Sequence, residues 1–170
     1  MNGKLQIQRP EILVKDSSSG DIVETLTSNV PDLIIATGSL TGSSFVAEGA
    51  TFLARFRRGQ PFKGEPAYVW TVNGEKGELR LVAPGGPSLQ AGGYNAPVTI
   101  EVHDFATDEV TPIEWEWPEW ELEFQVPARS IAALYEAFAE GDDTKYPTFD
   151  DALRLHEQLE GLLRGFVGTT

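Results

Sequence analysis

The chain has 170 residues, of which 41% are hydrophobic and 10% aromatic, so one globular domain with a sizeable core is expected. Its formal net charge of −13 argues against binding to nucleic acid or to anionic membranes, whose phosphates require Lys and Arg. The absence of cysteine excludes disulfides and thiolate chemistry, and without a signal-peptide core or a long apolar run we expect a cytoplasmic protein.

The first third of the chain has the pattern of short strands separated by turns. Alternating apolar and polar residues or short apolar runs predict strands at 5–8, 12–15, 22–27, 32–40 and 50–57. Ser17-Ser18-Ser19-Gly20 is the predicted turn of a hairpin. Arg55 and Arg57, with Arg58, form the only basic cluster, which could hold a carboxylate or a phosphate. The alternative for these arginines is a solvated strand edge.

A second hairpin is predicted between residues 68 and 83. Tyr68, Trp70 and Val72 alternate with smaller residues, and an Asn-Gly-Glu-Lys-Gly loop leads into a second alternating run. A further strand is predicted at 98–103. It places His103 and Glu101 on the same face, where a His beside a carboxylate could move protons near pH 7. An exposed surface His is the alternative.

The next segments are unusual in composition. Residues 84–97 contain three Pro and four Gly, so we expect this loop to be the most mobile part of the chain. Residues 109–124 interleave aromatic and acidic side chains, which predicts a strand with Trp115 and Trp117 on one face and glutamates on the other. The parity changes at Pro118-Glu119, where a bulge or bend is expected. An aromatic-lined pocket is the functional interpretation of this strand.

Two helices are predicted at the C-terminal end, at 128–140 and 148–164. In the first, Ile131, Leu134, Tyr135 and Phe138 form one apolar stripe. Thr148 followed by Asp151 predicts a capping box at the start of the second helix.

Four segments, in order, resemble the C-terminal domain of the Gfo/Idh/MocA oxidoreductases, the relatives of glucose–fructose oxidoreductase and inositol dehydrogenase. They are SNVPDLI (28–34), WTVNGEKGEL (70–79), LYEAFAEG (134–141) and YPTFDDA (146–152). The likeness extends over roughly residues 5–166 and is nearest to a fungal branch that includes the galactose-pathway repressor. It implies an α+β fold, with an open, mostly antiparallel sheet of six or more strands and the two C-terminal helices packed on one face. Residues 1–170 are then a single domain.

The resemblance also implies what this chain lacks. Full-length relatives carry a nucleotide-binding domain, but no Gly-x-Gly-x-x-Gly follows a predicted strand here, so we expect no NAD(P) and no other cofactor. The chain is then a substrate domain without its coenzyme domain. Its two histidines have no metal-ligand spacing, so no metal site is expected.

These features lead to one functional hypothesis and two alternatives. The first is binding of a small organic molecule and a cofactor-independent, non-redox step (cyclisation, isomerisation or dehydration) in natural-product metabolism. The candidate catalytic residues are His103, Glu101 and Tyr68, and the candidate substrate-binding residues are Trp70, Trp115, Trp117, Arg55 and Arg57. Tyr68 and Trp70 could instead be core or interface aromatics. The alternatives are a regulatory protein-binding module like the galactose repressor and an inactive fragment of an NAD(P)-dependent oxidoreductase, so enzymatic activity stays open.

The sequence also predicts self-association. Two helices can cover only one face of a sheet of six or more strands, and relatives often pair through the other face. We expect a homodimer through a mixed face that includes Leu53, Val69 and Thr71. A pocket is expected between the sheets or at their rim, near the 84–97 loop.

Overall fold

The structure of the chain is a computed structural model that describes residues 1–86 and 97–166. The chain forms two compact units, one comprising Met1–Gly59 with Thr148–Thr170 and the other comprising Gln60–Pro147. The loop at 84–97, for which we predict mobility, lies largely outside the described residues.

The described elements follow the predicted order along the chain. They are β1 (Asn2–Gln6), β2 (Glu11–Lys15), β3 (Ile22–Thr27), β4 (Leu33–Ser39), β5 (Thr51–Arg57), β6 (Tyr68–Asn73), β7 (Gly77–Ala83), β8 (Thr99–Asp104), β9 (Glu109–Ile113), a 3-10 helix (Glu119–Glu123), α1 (Val126–Glu140) and α2 (Phe149–Leu163). The predicted hairpins, both C-terminal helices and the strands up to residue 104 are confirmed, with ends that shift by a few residues.

The first unit contains a three-stranded antiparallel sheet in the order β1-β4-β5, and a separate hairpin of β2 and β3. β4 is the central strand, and its Leu33 and Ala36 are buried, as expected for an apolar run between two partners. The buried carboxylate of Asp32 accepts bonds from the Gln8 backbone N–H (2.6 Å) and from Arg9 Nε (3.0 Å). These bonds hold the chain after β1 against the start of β4.

The second unit contains a four-stranded antiparallel sheet in the order β6-β7-β8-β9. Its first hairpin is the predicted one, and its register runs from Tyr68 opposite Ala83 to Asn73 opposite Glu78. Gly77 is required at the start of β7, because a Cβ there would collide with the carbonyl oxygen of His103 on β8. The lack of a side chain at Gly77 lets β7 and β8 approach each other closely at this end of their ladder.

The two faces of this sheet differ in chemistry. Cross-strand partners share a face, so the register places tyrosine, tryptophan and aliphatic residues on one side. This apolar face carries Tyr68, Trp70, Val72, Leu79, Leu81, Ala83, Ile100 and Val102. The opposite, mixed face carries Val69, Thr71, Glu78, Arg80, Val82, Glu101, His103 and Val110.

The α+β class, the antiparallel strands and the two C-terminal helices agree with the predicted fold. The nine described strands are divided among sheets of three, two and four strands, however, and do not form the expected single sheet of six or more. The β2–β3 hairpin separates β1 from β4 in sequence and forms its own ladder. After β5, the link contains Gly59 and Gly64 at positive φ together with two prolines, so its backbone turns instead of extending a ladder.

The strand predicted over residues 109–124 is correct only in its first part. β9 ends at Ile113, residues 114–118 are irregular, and Glu119–Glu123 form the 3-10 helix. Ile113 pairs with Ile100, close to the start of β8, so Trp115 and Trp117 lie beyond most of the partner strand. Pro118, which has no N–H, then precedes the helical turn. The expected change in direction at Pro118-Glu119 is therefore a helical turn and not a bulge.

Each helix contacts a different element. In the first unit α2 packs on β1, where the Leu162 side chain lies beside Gly3. In the second unit α1 contacts the 3-10 helix and ends at Gly141, which adopts the left-handed conformation expected for a C-cap. Ile131, Leu134, Tyr135 and Phe138 on the predicted stripe of α1 are all exposed.

Candidate functional site

The apolar face of the second unit's sheet carries a cavity of about 410 Å³ at one end. Its walls combine side chains of β6, β7 and β8 with the irregular segment that follows β9. The lining residues are Tyr68, Leu81, Ala83, Gly86, Val98, Ile100, Trp115 and Trp117. This volume falls in the range of small-molecule sites, and the apolar lining is typical of them.

Two tryptophans form the wall that does not belong to a strand. The rings of Trp115 and Trp117 meet edge to face, with centroids 5.7 Å apart, and Trp115 Nε1 donates a hydrogen bond of 3.1 Å to the Val98 carbonyl. The guanidinium carbon of Arg129 lies 5.6 Å from the Trp117 ring centroid. Its Nε donates a bond of 3.1 Å to the Phe124 carbonyl. These contacts hold the aromatic wall in place.

Tyr68 supplies the only hydroxyl among the lining residues that the structure describes. It lies at the first position of β6, and its half-buried ring faces Ala83 across the hairpin. Trp70 lies on the same face, two residues along the strand and opposite Leu81, and its side chain is 57% exposed. Of the residues that the sequence analysis proposed for the site, the cavity thus brings together Tyr68, Trp115 and Trp117, with Trp70 beside them.

His103 and Glu101 lie on the opposite face of the same sheet. His103 pairs with Val110 and Glu78 across its neighbouring strands, and it is three residues from the cavity-lining Ile100. Its Nε2 lies 2.8 Å from Asp108 Oδ1, so the recorded carboxylate partner of His103 is Asp108 and not Glu101. The register therefore places His103 and Glu101 on the face of the sheet opposite to Tyr68, and the catalytic role of each residue stays a prediction.

The remaining candidates, Arg55 and Arg57, lie on β5 in the first unit and are exposed. They are adjacent to exposed apolar side chains of the same strand, Leu53 and Phe56. Both arginines are thus on an exposed strand, and a role in binding a carboxylate or a phosphate stays a prediction.

The sequence did not point to two residues that the structure singles out, Arg129 beside the aromatic wall and Glu121 on the 3-10 helix. Arg129 gave no signal because it is an isolated basic residue at the start of a helix. Glu121 was expected on a solvated face with Glu114, Glu116 and Glu123, but it is buried, since the 3-10 helix replaces strand alternation. Among the described residues, no group bonds to its Oε2. Its burial could have been predicted only from a helical turn at 119–123, and strand alternation does not predict that turn.

A second cavity of about 390 Å³ lies along α1 in the same unit. It is lined by Ile131, Leu134, Tyr135, Phe138, Tyr146 and Pro147. The rings of Phe138 and Tyr146 are in edge contact with centroids 5.7 Å apart. This groove is made from the apolar stripe of α1 and the chain that follows the helix.

Across residues 1–86 and 97–166, no group of three or more potential ligands is arranged to hold a metal ion. None of the helices in this described part is long and apolar enough to cross a membrane. Comparison with known proteins found no matching family model and no matching curated protein, so the resemblance to the oxidoreductase C-terminal domain stays a prediction.

Proposed function

We propose that the chain binds a small, uncharged organic molecule in the cavity walled by Trp115 and Trp117. The observation that carries this proposal is the lining itself, which is aliphatic and aromatic on every described side and offers one hydroxyl. Such a site favours an apolar ligand, because a charged ligand would lose its hydration there without gaining a partner. The net charge of −13 further disfavours anions.

The chemistry that suits this site is non-redox and cofactor-independent. An apolar cavity can hold a flexible molecule in a reactive conformation, which lowers the entropic part of the barrier. The Tyr68 hydroxyl can donate or accept a proton at the ligand. These two contributions suit the cyclisation, isomerisation or dehydration of a natural-product precursor, such as a terpenoid or polyketide.

A pair of substitutions on one strand tests whether the cavity binds ligands. Leu81 lines the cavity, and Leu79 lies on the same strand and face without lining it. We expect Leu81→Trp to fill the cavity and to weaken binding of an uncharged naphthalene-type fluorescent probe by at least about tenfold. Leu79→Trp is the matched control and should bind the probe as the wild type does. The measurement is a fluorescence titration of the full chain.

Two outcomes would overturn this proposal. One is probe binding to the wild type that is as weak as binding to a protein without a cavity. The other is equal loss of binding in Leu79→Trp and Leu81→Trp, which would place the probe elsewhere on the apolar face. Thermal denaturation of both variants shows whether they keep the fold.

The second candidate function, a protein-binding module, is favoured by the α1 groove. Tyr135 and Phe138 are 72% and 69% exposed, and large exposed aromatics beside a groove are typical of sites that receive an apolar helix or peptide. Stoichiometric capture of one protein that is lost in Phe138→Ser and retained in Leu81→Trp would support this function over ligand chemistry.

A further inference from the structure

The two edge strands of the four-stranded sheet, β6 and β9, have different compositions. β9 (Glu109–Ile113) contains Glu109 and Pro112, and a proline or a charge on an edge strand opposes pairing with another strand. β6 (Tyr68–Asn73) contains neither a proline nor a charged residue over its six positions. Among the strands that the structure describes, β6 pairs on one side only, with β7. In this described sheet β9 is therefore an edge protected by its sequence, and β6 is an edge without such protection.

The hydrogen-bond pattern identifies the backbone groups that point from β6 to its open side. Gly74 N–H donates to the Gly77 carbonyl (2.8 Å), so these two residues form a bonded pair. The next pair along the ladder, Asn73 and Glu78, is therefore a non-bonded pair. Bonded and non-bonded pairs alternate in an antiparallel ladder. Val69 and Thr71 are therefore also in non-bonded pairs, and their N–H and C=O groups face away from β7.

The same alternation explains Pro112. On β8, Glu101 and His103 are in bonded pairs with β7, so Ile100 and Val102 bond with β9 instead. Pro112 lies opposite Glu101 and therefore occupies an outward-facing position of β9, where no donor is needed. Proline is thus already placed on β9 so as to block strand addition. On β6, the equivalent outward positions are Val69, Thr71 and Asn73.

The side chains of β6 suit a second copy of the chain better than a charged peptide. Val69, Trp70 and Val72 are 43%, 57% and 46% exposed. β6 carries no charged residue, so two copies that meet along this strand place no like charges directly opposite each other. The overall negative charge would attract a basic peptide, but β6 has no carboxylate with which such a peptide could pair.

We propose that two copies of the chain pair through β6, antiparallel and related by a two-fold axis. A register centred on Thr71 opposes the outward groups of both strands and forms about six backbone hydrogen bonds. It also sets each Trp70 beside Val72 of the other copy on the apolar face, an aromatic–aliphatic cross-strand pair. Two four-stranded sheets then form one continuous sheet.

This pairing differs from the expected dimer through the mixed sheet face, and it reaches the cavity. Tyr68, which lines the cavity, is the first residue of β6, so the second copy's strand lies along the outer side of that wall. The edge pairing stands on the strand geometry alone. Only its consequence, that the second copy lies beside a ligand site, rests on the proposed function.

The test uses proline at matched outward positions of the two edges, in the full chain. Thr71→Pro removes one outward N–H from β6 and leaves the bonded pairs with β7 intact, whereas Val110→Pro makes the same change on β9, the edge that Pro112 already protects. By light scattering after size-exclusion chromatography, we expect the wild type and Val110→Pro at twice the 18.6 kDa chain mass and Thr71→Pro at the chain mass. Circular dichroism confirms that each variant is folded.

Amide hydrogen exchange of the wild type provides a measurement that does not depend on a variant. The Val69 and Thr71 amides should exchange at least about tenfold more slowly at high protein concentration than after dilution, and the Val110 amide should not change. A monomeric wild type at tens of micromolar would overturn the proposal. So would a dimer in which the Val69 and Thr71 amides stay unprotected, since copies would then meet through another surface. Neither result bears on probe binding in the Leu81→Trp comparison.

Discussion

Tyr68 is the residue on which the proposed chemistry depends. Its hydroxyl is the one proton-transferring group that the described cavity wall offers, and its ring forms part of that wall. We expect Tyr68→Phe to keep the ring and the cavity, so the affinity for an uncharged naphthalene-type probe should change by less than about twofold. Turnover of a terpenoid or polyketide substrate found by screening should fall by about 10²–10⁴, the usual contribution of general acid–base catalysis.

The matched comparison for Tyr68 is His103→Gln, on the other face of the sheet. His103 contacts Asp108 and the edge of the Phe105 ring, so its replacement changes surface contacts and leaves the cavity wall unchanged. Turnover equal to that of the wild type is expected for this variant. Full activity in Tyr68→Phe, or loss of activity only in His103→Gln, would contradict the assignment of the reaction to the apolar face.

Among the elements, α2 has the best-defined local stabilisation. Thr148 Oγ1 accepts from the Asp151 backbone N–H, and the Asp151 carboxylate accepts from the Thr148 backbone N–H (2.9 Å), which completes the predicted capping box. The Thr148 backbone bond, followed by the Thr148 hydroxyl and Arg154, lowers the pKa of Asp151 from 3.8 to about 2. The ionised carboxylate thus belongs to the folded helix start.

This pKa determines the acid sensitivity of the helix start. A carboxyl whose pKa is lower in the folded state contributes stability above pH 3.8, and that contribution is lost as the pH falls toward 2. Asp151→Asn cannot titrate, so the stability gap between wild type and variant should be present at pH 5 and should close between about pH 4 and pH 2. Urea denaturation followed by circular dichroism across this range measures the gap.

Asp150→Asn is the control for this titration, since Asp150 is exposed in the same helical turn but lies outside the capping box. It should keep the wild-type response between pH 4 and pH 2. A gap between wild type and Asp151→Asn that is constant with pH would show that the carboxylate does not act through its charge at the cap.

At the scale of the whole molecule, the chain should not bind NAD or NADP. A pyrophosphate is held where a glycine-rich turn after a strand opens a helix. Gly86 follows β7, but the next described element is β8, a strand. The described cavity walls are apolar and contain no basic side chain that could pair with a phosphate. Calorimetric titration should give no binding heat with either nucleotide, whereas a dissociation constant in the micromolar range would contradict this prediction.

The sequence by itself determined the local elements of this protein. The hairpin at 68–83, the strand at 98–103, the two C-terminal helices and the Thr148–Asp151 box all follow from patterns within a few residues. Such patterns are reliable here because the side-chain periods of strands and helices are set by covalent geometry and by neighbours along the chain. The presence of Tyr68, Trp115 and Trp117 in one cavity was likewise compatible with the predicted aromatic pocket.

Only the tertiary structure decided how these elements combine. Whether strands join one sheet or three depends on partners distant in sequence, and local alternation carries no information about them. Because β9 ends near the start of its partner strand, Trp115 and Trp117 lie across the apolar face. The 3-10 helix that follows them buries Glu121. The register of β7 and β8 placed His103 on the opposite face, which separated it from Tyr68. The cavity and the open β6 edge therefore follow from hydrogen-bond partners between strands, which no single segment specifies.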